Sequence, residues 1–179
     1  MQAATRPAKG SWSVPQDLST AGEKASRPEV AIDARGDAVA VWQRLTLAAT
    51  FFVDARYAVQ ASTRPAGGSW SSVPQDLSTA DQNAYEPQVA LDAQGDAVAV
   101  WTKQIRSSVR VIQASTRPVG KSWGAAEDLS SDTGNADDPR VALGGQGNAV
   151  AAWRRGDGNN VGSDHGFLPS SDHKNSPGG

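Results

Sequence analysis

The chain has 179 residues, with 17 basic and 19 acidic side chains, a formal net charge of −2 and no cysteine. The charges of both signs are mixed along it, so no basic stripe points to nucleic acid. No apolar run is long enough for a membrane span, and no disulfide framework can form.

Six tryptophans organise the rest. Trp12, Trp70 and Trp123 lie 58 and 53 residues apart, and Trp42, Trp101 and Trp153 lie 59 and 52 apart. Two interleaved series of that kind mark an internal repeat, which has to be read before any single element.

In chain order, the first piece is half a unit, residues 1–20. It holds Thr5-Arg-Pro-Ala-Lys-Gly-Ser-Trp12 and ends on Gln16-Asp-Leu-Ser19. A full unit follows over 28–80. It opens on Pro28, as the later units open on Pro87 and Pro139, where a missing N–H costs little at the start of a strand. It turns at Asp33-Ala-Arg-Gly-Asp37, with glycine for positive φ and aspartate to bind local amides. It then runs through Ala38-Val-Ala-Val-Trp42, with Val39 and Val41 on one face and Ala38, Ala40 and Trp42 on the other. A strand apolar on both faces must be covered on both. The next hairpin of this unit turns at Arg64-Pro-Ala-Gly-Gly68.

The interval from tryptophan to glutamine is six residues longer here than in the next unit, between Leu45 and Tyr57. The longer segment carries Thr50-Phe51-Phe52-Val53. That stretch is either an extended hairpin packed on a neighbour or an exposed contact patch, with Phe51 and Phe52 at its centre.

A second unit spans 87–131 and a final half-unit spans 139–155. No segment of the body has a sustained helical period. The expected fold is all-β: a propeller-like array of four-stranded antiparallel blades, three blades' worth in all over residues 1–155. Three blades are few for a closed ring. Either the chain is a piece of a longer one, or identical copies close a ring as a homo-oligomer. Residues 156–179 are rich in Gly, Ser, Asn and Asp and read as a disordered tail. Both histidines, His165 and His173, fall there, each in a Ser-Asp-His triplet read as solvated rather than metal-binding.

The runs ending at Trp12, Trp70 and Trp123 resemble the Asp-box of bacterial sialidases and related propellers, Ser/Thr-x-Asp-x-Gly-x-x-Trp. Thr63, Gly67 and Trp70 are in register with it, whereas Pro7, Pro65 and Pro118 replace the aspartate and Lys9 replaces one glycine. The resemblance covers the repeat body. It implies a propeller fold and a secreted or surface location in bacteria, although the first residues lack the apolar core of a signal peptide. In such families the motif is structural, so it implies no catalytic residue.

The body has no histidine, which removes triads and His-ligated metals. A tyrosine nucleophile would need a carboxylate helper and an arginine cluster. Tyr85 and Glu86 are adjacent, and in an extended strand they would point oppositely. The expectation is a non-catalytic module without metal or cofactor, serving binding or scaffolding, with a glycan or a protein as ligand. The alternative is a fragment of a larger sialidase-like propeller protein, or an accessory domain of a glycoside hydrolase. The recurring Trp12, Trp70 and Trp123 are candidate stacking faces, with Arg6, Arg64 and Arg117 as hydrogen-bond donors. The competing reading has these tryptophans packed between blades. Asp17, Asp76 and Asp128 recur as turn caps.

Overall fold

A computed structural model describes residues 1–51, 54–106 and 109–156. The described residues form twelve strands and no helix: β1 (Gln2–Ala3), β2 (Gln16–Asp17), β3 (Ala25–Ile32), β4 (Ala38–Leu47), β5 (Arg56–Arg64), β6 (Gln75–Asp76), β7 (Asn83–Leu91), β8 (Ala97–Arg106), β9 (Val109–Arg117), β10 (Glu127–Asp128), β11 (Asn135–Leu143) and β12 (Ala149–Gly156).

These make four antiparallel sheets, β1-β2, β3-β4-β5-β6, β7-β8-β9-β10 and β11-β12. The two-, four-, four- and two-stranded series matches the strand count read from the repeats. Registers repeat with it: Trp42 faces Gln60 and Trp101 faces Gln113 across the central pairs. Gln2, Gln60 and Gln113 each face an aspartate of the short fourth strand, Asp17, Asp76 and Asp128. Those aspartates therefore lie on strands rather than capping turns. The fourth strand is the short polar run, and Trp12, Trp70 and Trp123 lie in the connection before it.

The sheets stack face to face, and three apolar layers fill the junctions. Ala38, Ala40 and Trp42 of β4 pack with Leu18 and Trp70 under the first sheet. The other face of β4, Val39 and Val41, packs with Val59, Trp101 and Trp123 against the third sheet. Val98, Val100 and Ile112 continue the pattern against Val141, Leu143 and Trp153. Both faces of β4 are thus covered, as an all-apolar strand requires. The indoles of Trp42 and Trp101 are fully buried, and each Nε1 donates to a glutamine Oε1, Gln60 at 3.1 Å and Gln113 at 3.2 Å. Such an acceptor offsets the cost of burying the indole N–H, whereas the buried Nε1 atoms of Trp70 and Trp123 have no hydrogen-bond partner among the described residues.

Two further details depart from expectation. Pro28, Pro87 and Pro139 do not open strands. β3, β7 and β11 begin three or four residues earlier, because those residues pair with the long tails of β4, β8 and β12. Each proline sits instead at a β-bulge, the other place a strand tolerates a missing donor. The last strand also continues through Gly156. His165, His173 and the segment 157–179 lie outside the described residues.

Candidate functional site

Three of the four non-glycine residues with positive φ among the described residues sit at the bulges. In β3 the register slips between Ser26 and Glu29, so Arg27 and Pro28 together face one residue of β4. The same slip occurs between Tyr85 and Gln88 and between Asp137 and Arg140. The residue before each proline has positive φ: Arg27 at 51°, Glu86 at 57° and Asp138 at 52°. A non-glycine residue held there costs on the order of 1–3 kcal/mol, and such strain gathers at functional positions. Bulges also re-aim side chains. Here the kink at Glu86 places Tyr85 and Glu86 on one hollow, where an extended strand would have sent them to opposite faces.

That hollow, about 250 Å³, lies between the second and third sheets and is lined by Ser26, Arg27, Gln43, Tyr57, Asn83, Tyr85 and Glu86. The chain's two tyrosines meet there. Gln43 is buried and its Oε1 accepts the strained Glu86 N–H at 3.3 Å. Asn83 accepts Tyr57 N–H at 3.1 Å and donates to Gln104 at 2.9 Å. Burial pushes the Tyr85 hydroxyl above its ordinary range, with the nearby Arg110 guanidinium opposing, so the phenol stays neutral.

The next junction repeats the frame with other side chains. Asp137 takes the place of Tyr85, and Arg110 that of Tyr57. Arg110 Nη2 lies 3.1 Å from Asp137 Oδ2, and Arg154 Nε donates to Asp137 Oδ1 at 2.7 Å. The Arg154 bond, with Coulombic help from both arginines, holds the Asp137 carboxyl below its ordinary range despite burial. Glu86 joins the two junctions: its Oε2 accepts Thr102 Oγ1 at 3.3 Å and Asp138 N–H at 3.4 Å.

The tryptophans and arginines singled out from sequence are spread over three places, and Arg64 borders two of them. Arg6, Trp12, Arg64 and Trp70 line one open groove of about 730 Å³ with Val30 and Ile32. Arg6 sits 5.8 Å above the Trp12 ring, a cation–π contact. Trp123 and Arg117 are elsewhere. Arg117 borders a smaller hollow of about 160 Å³ beside Asp37 and Leu91. Trp123 lies in the apolar layer between the central sheets, its backbone N–H and carbonyl both bonded to Gln75. Trp70 and Trp123 are 6% and 7% exposed, so their ring faces are covered by packing, whereas Trp12 is 68% exposed.

Of the long insertion, Phe51 is 95% exposed and Phe52 lies outside the described residues. Asp54 and Arg56 beside it line a broad polar hollow of about 660 Å³ with Lys103 and Arg106. Among the described residues no group of His, Cys, Asp and Glu has metal-binding geometry, and no helix is long and apolar enough to cross a membrane.

The tyrosine-lined hollow was hidden in the sequence. Its one signal was the Pro28, Pro87 and Pro139 series, each proline preceded by a charged residue inside an otherwise regular strand. Comparison of the chain with protein-family models and with curated proteins found no match in either.

Proposed function

We propose that the four sheets are sectors of a β-propeller and that the chain is a non-catalytic recognition module for a hydroxyl-rich ligand such as a glycan residue. The observation that carries this reading is the contrast between two junctions built on one backbone frame. One is filled by the Asp137–Arg110–Arg154 ion pairs, and the other is left open between Tyr57 and Tyr85.

The chemistry of the open hollow suits a sugar. The tyrosine rings supply apolar faces with polar edges. Gln43 and Asn83 supply amides, Glu86 supplies an acceptor and Arg27 a donor, all set on strands rather than mobile loops. The raised Tyr85 hydroxyl favours a donor role over a nucleophilic phenolate. The other candidate surface, the Trp12 groove, is predominantly apolar, with Val30 and Ile32 in its wall.

Titration of the full chain against a glycan panel, followed by NMR or calorimetry, tests this. Saturable binding is expected that falls at least about tenfold in Tyr85→Ala and in Tyr57→Ala. No binding across the panel, or binding that both variants retain, would overturn it.

A further inference from the structure

The two outer sheets are opposite halves of one pattern. β1 and β2 have the register of β5 with β6 and of β9 with β10. β11 and β12 have that of β3 with β4 and of β7 with β8. Each end therefore presents the strand edge that the other lacks, yet β1 and β12 do not pair within the chain.

The surfaces beside those edges are apolar where their repeat counterparts are covered. Trp12 is 68% exposed against 6% and 7% for Trp70 and Trp123. Val30 and Ile32 are 67% and 66% exposed, while their counterparts Val89 and Leu91 pack on the central core. Val150 is 68% exposed against 1% for Val39 and 9% for Val98. The groove of Trp12, Val30 and Ile32 is the space that a first and second strand would fill. Single exposed apolar residues mean little, but a contiguous patch flanking an open strand edge marks an interface.

One hydrogen bond is already prepared. Gln113 Nε2 donates to Asp128 at 2.8 Å, and its Oε1 receives the Trp101 indole. Gln2 Nε2 donates to Asp17 in the same way at 2.9 Å, which leaves its Oε1 turned toward the position an incoming tryptophan would take.

We infer that two copies of this chain close on one another, β12 of each adding to β1 of the other. The completed sheets carry over the central register: Trp153 faces the partner's Gln2, Ala151 the partner's Ala4 and Ala149 the partner's Arg6, as Trp101, Ala99 and Ala97 face Gln113, Ser115 and Arg117. Both junctions are related by one two-fold axis, so the assembly is closed and the open edges of β1 and β12 are both paired. It contains six four-stranded sheets, within the range of propellers. This inference rests on the propeller reading but not on any ligand.

The test is light scattering of the full chain across a wide concentration range, with Val150→Lys as the variant. Val150 is solvated in the single chain, so the lysine leaves its circular dichroism unchanged. In the closed pair the charge would be buried without a partner. A species of twice the chain mass is expected, together with a blue shift of Trp12 emission that Trp12→Phe removes. In Val150→Lys the dissociation constant should rise at least about tenfold. A second check mixes Ala4→Cys with Ala151→Cys chains under oxidation, where a disulfide between different chains is expected. A wild type monomeric at every concentration would overturn the inference. So would an open ladder of masses, or a Val150→Lys chain that dimerises like the wild type. Sugar binding by a monomer would leave the recognition reading standing, and a dimer that binds no sugar would do the converse.

Discussion

Replacing Asp33 by alanine tests how much of this fold depends on the carboxylate in its repeated turn. Asp33 Oδ1 accepts the N–H groups of Arg35, Gly36 and Asp37, each at 2.9 Å, and Oδ2 lies 3.0 Å from the Arg35 guanidinium. The loss is smaller than three bonds. Gly36 N–H also reaches the Asp33 carbonyl at 3.1 Å, and Arg35 is exposed, so water can replace the carboxylate there. The half-buried Asp37 N–H is the donor left without a partner, at about 1–3 kcal/mol. The exposed ion pair adds about 0–1 kcal/mol. The sum, about 2 kcal/mol, corresponds to a fall in Tm of roughly 4–8 °C for a chain of this size.

Asp33→Asn keeps an acceptor at Oδ1 and should lose less than half as much. The third copy is an internal control. Gly144 stands at the equivalent position, and its turn still closes through Gly144 N–H to Asn148 O at 2.8 Å. Gly144→Asp should therefore stabilise, by about 1 kcal/mol. The pH dependence follows from sign. Burial opposes ionisation most strongly, but the bonds from Asp37 and Arg35 together outweigh it and hold the Asp33 carboxyl below its ordinary value of 3.8. Its contribution is full above that value and is lost as pH falls through the lower folded pKa. Thermal denaturation of the four proteins, scanned from neutral to strongly acidic pH, measures all of this. An asparagine variant as unstable as the alanine one would refute the reasoning. So would a gap between wild type and Asp33→Ala that persists unchanged at the acid end.

Two further expectations concern left-handed positions. Gly95 has φ of +90°, and an added Cβ would press on the Arg35 guanidinium and sit 3.0 Å from a Val119 methyl. Gly95→Ala should lower Tm more than Gly120→Ala, where φ is +70° and no atom lies within 4 Å; equal shifts in parallel melts would mean that the contact between the turns carries no weight. Lys9 occupies with φ of 60° the place held by Gly67 and Gly120 in the other copies. Lys9→Gly should stabilise by roughly 0.5–1 kcal/mol, since relief of the left-handed penalty exceeds the extra chain entropy of glycine. A lower denaturant midpoint for this variant would contradict that.

The sequence by itself determined the parts that depend on local chemistry repeated from unit to unit. Tryptophan spacing, the Asp-x-x-Gly-Asp turns and the doubly apolar Ala38–Trp42 segment called for central strands covered on both faces, and the stacked sheets cover them. The same pattern could not separate the three members of an equivalent set. Trp12, Trp70 and Trp123 read alike, and only the stacking order leaves the first in solvent and buries the other two. The candidate site was less legible still. Tyr57 and Tyr85 are 28 residues apart, on strands of different sheets. Sequence periodicity carries no information on a register slip, because the bulge depends on how the tail of one strand pairs with the head of its neighbour. Sheet pairing brings Arg27, Glu86 and Asp138 to their bulges, and sheet stacking then decides which bulge is filled by an ion pair and which stays open. Repetition specifies what each unit resembles, but burial and charge at a junction belong to two units at once.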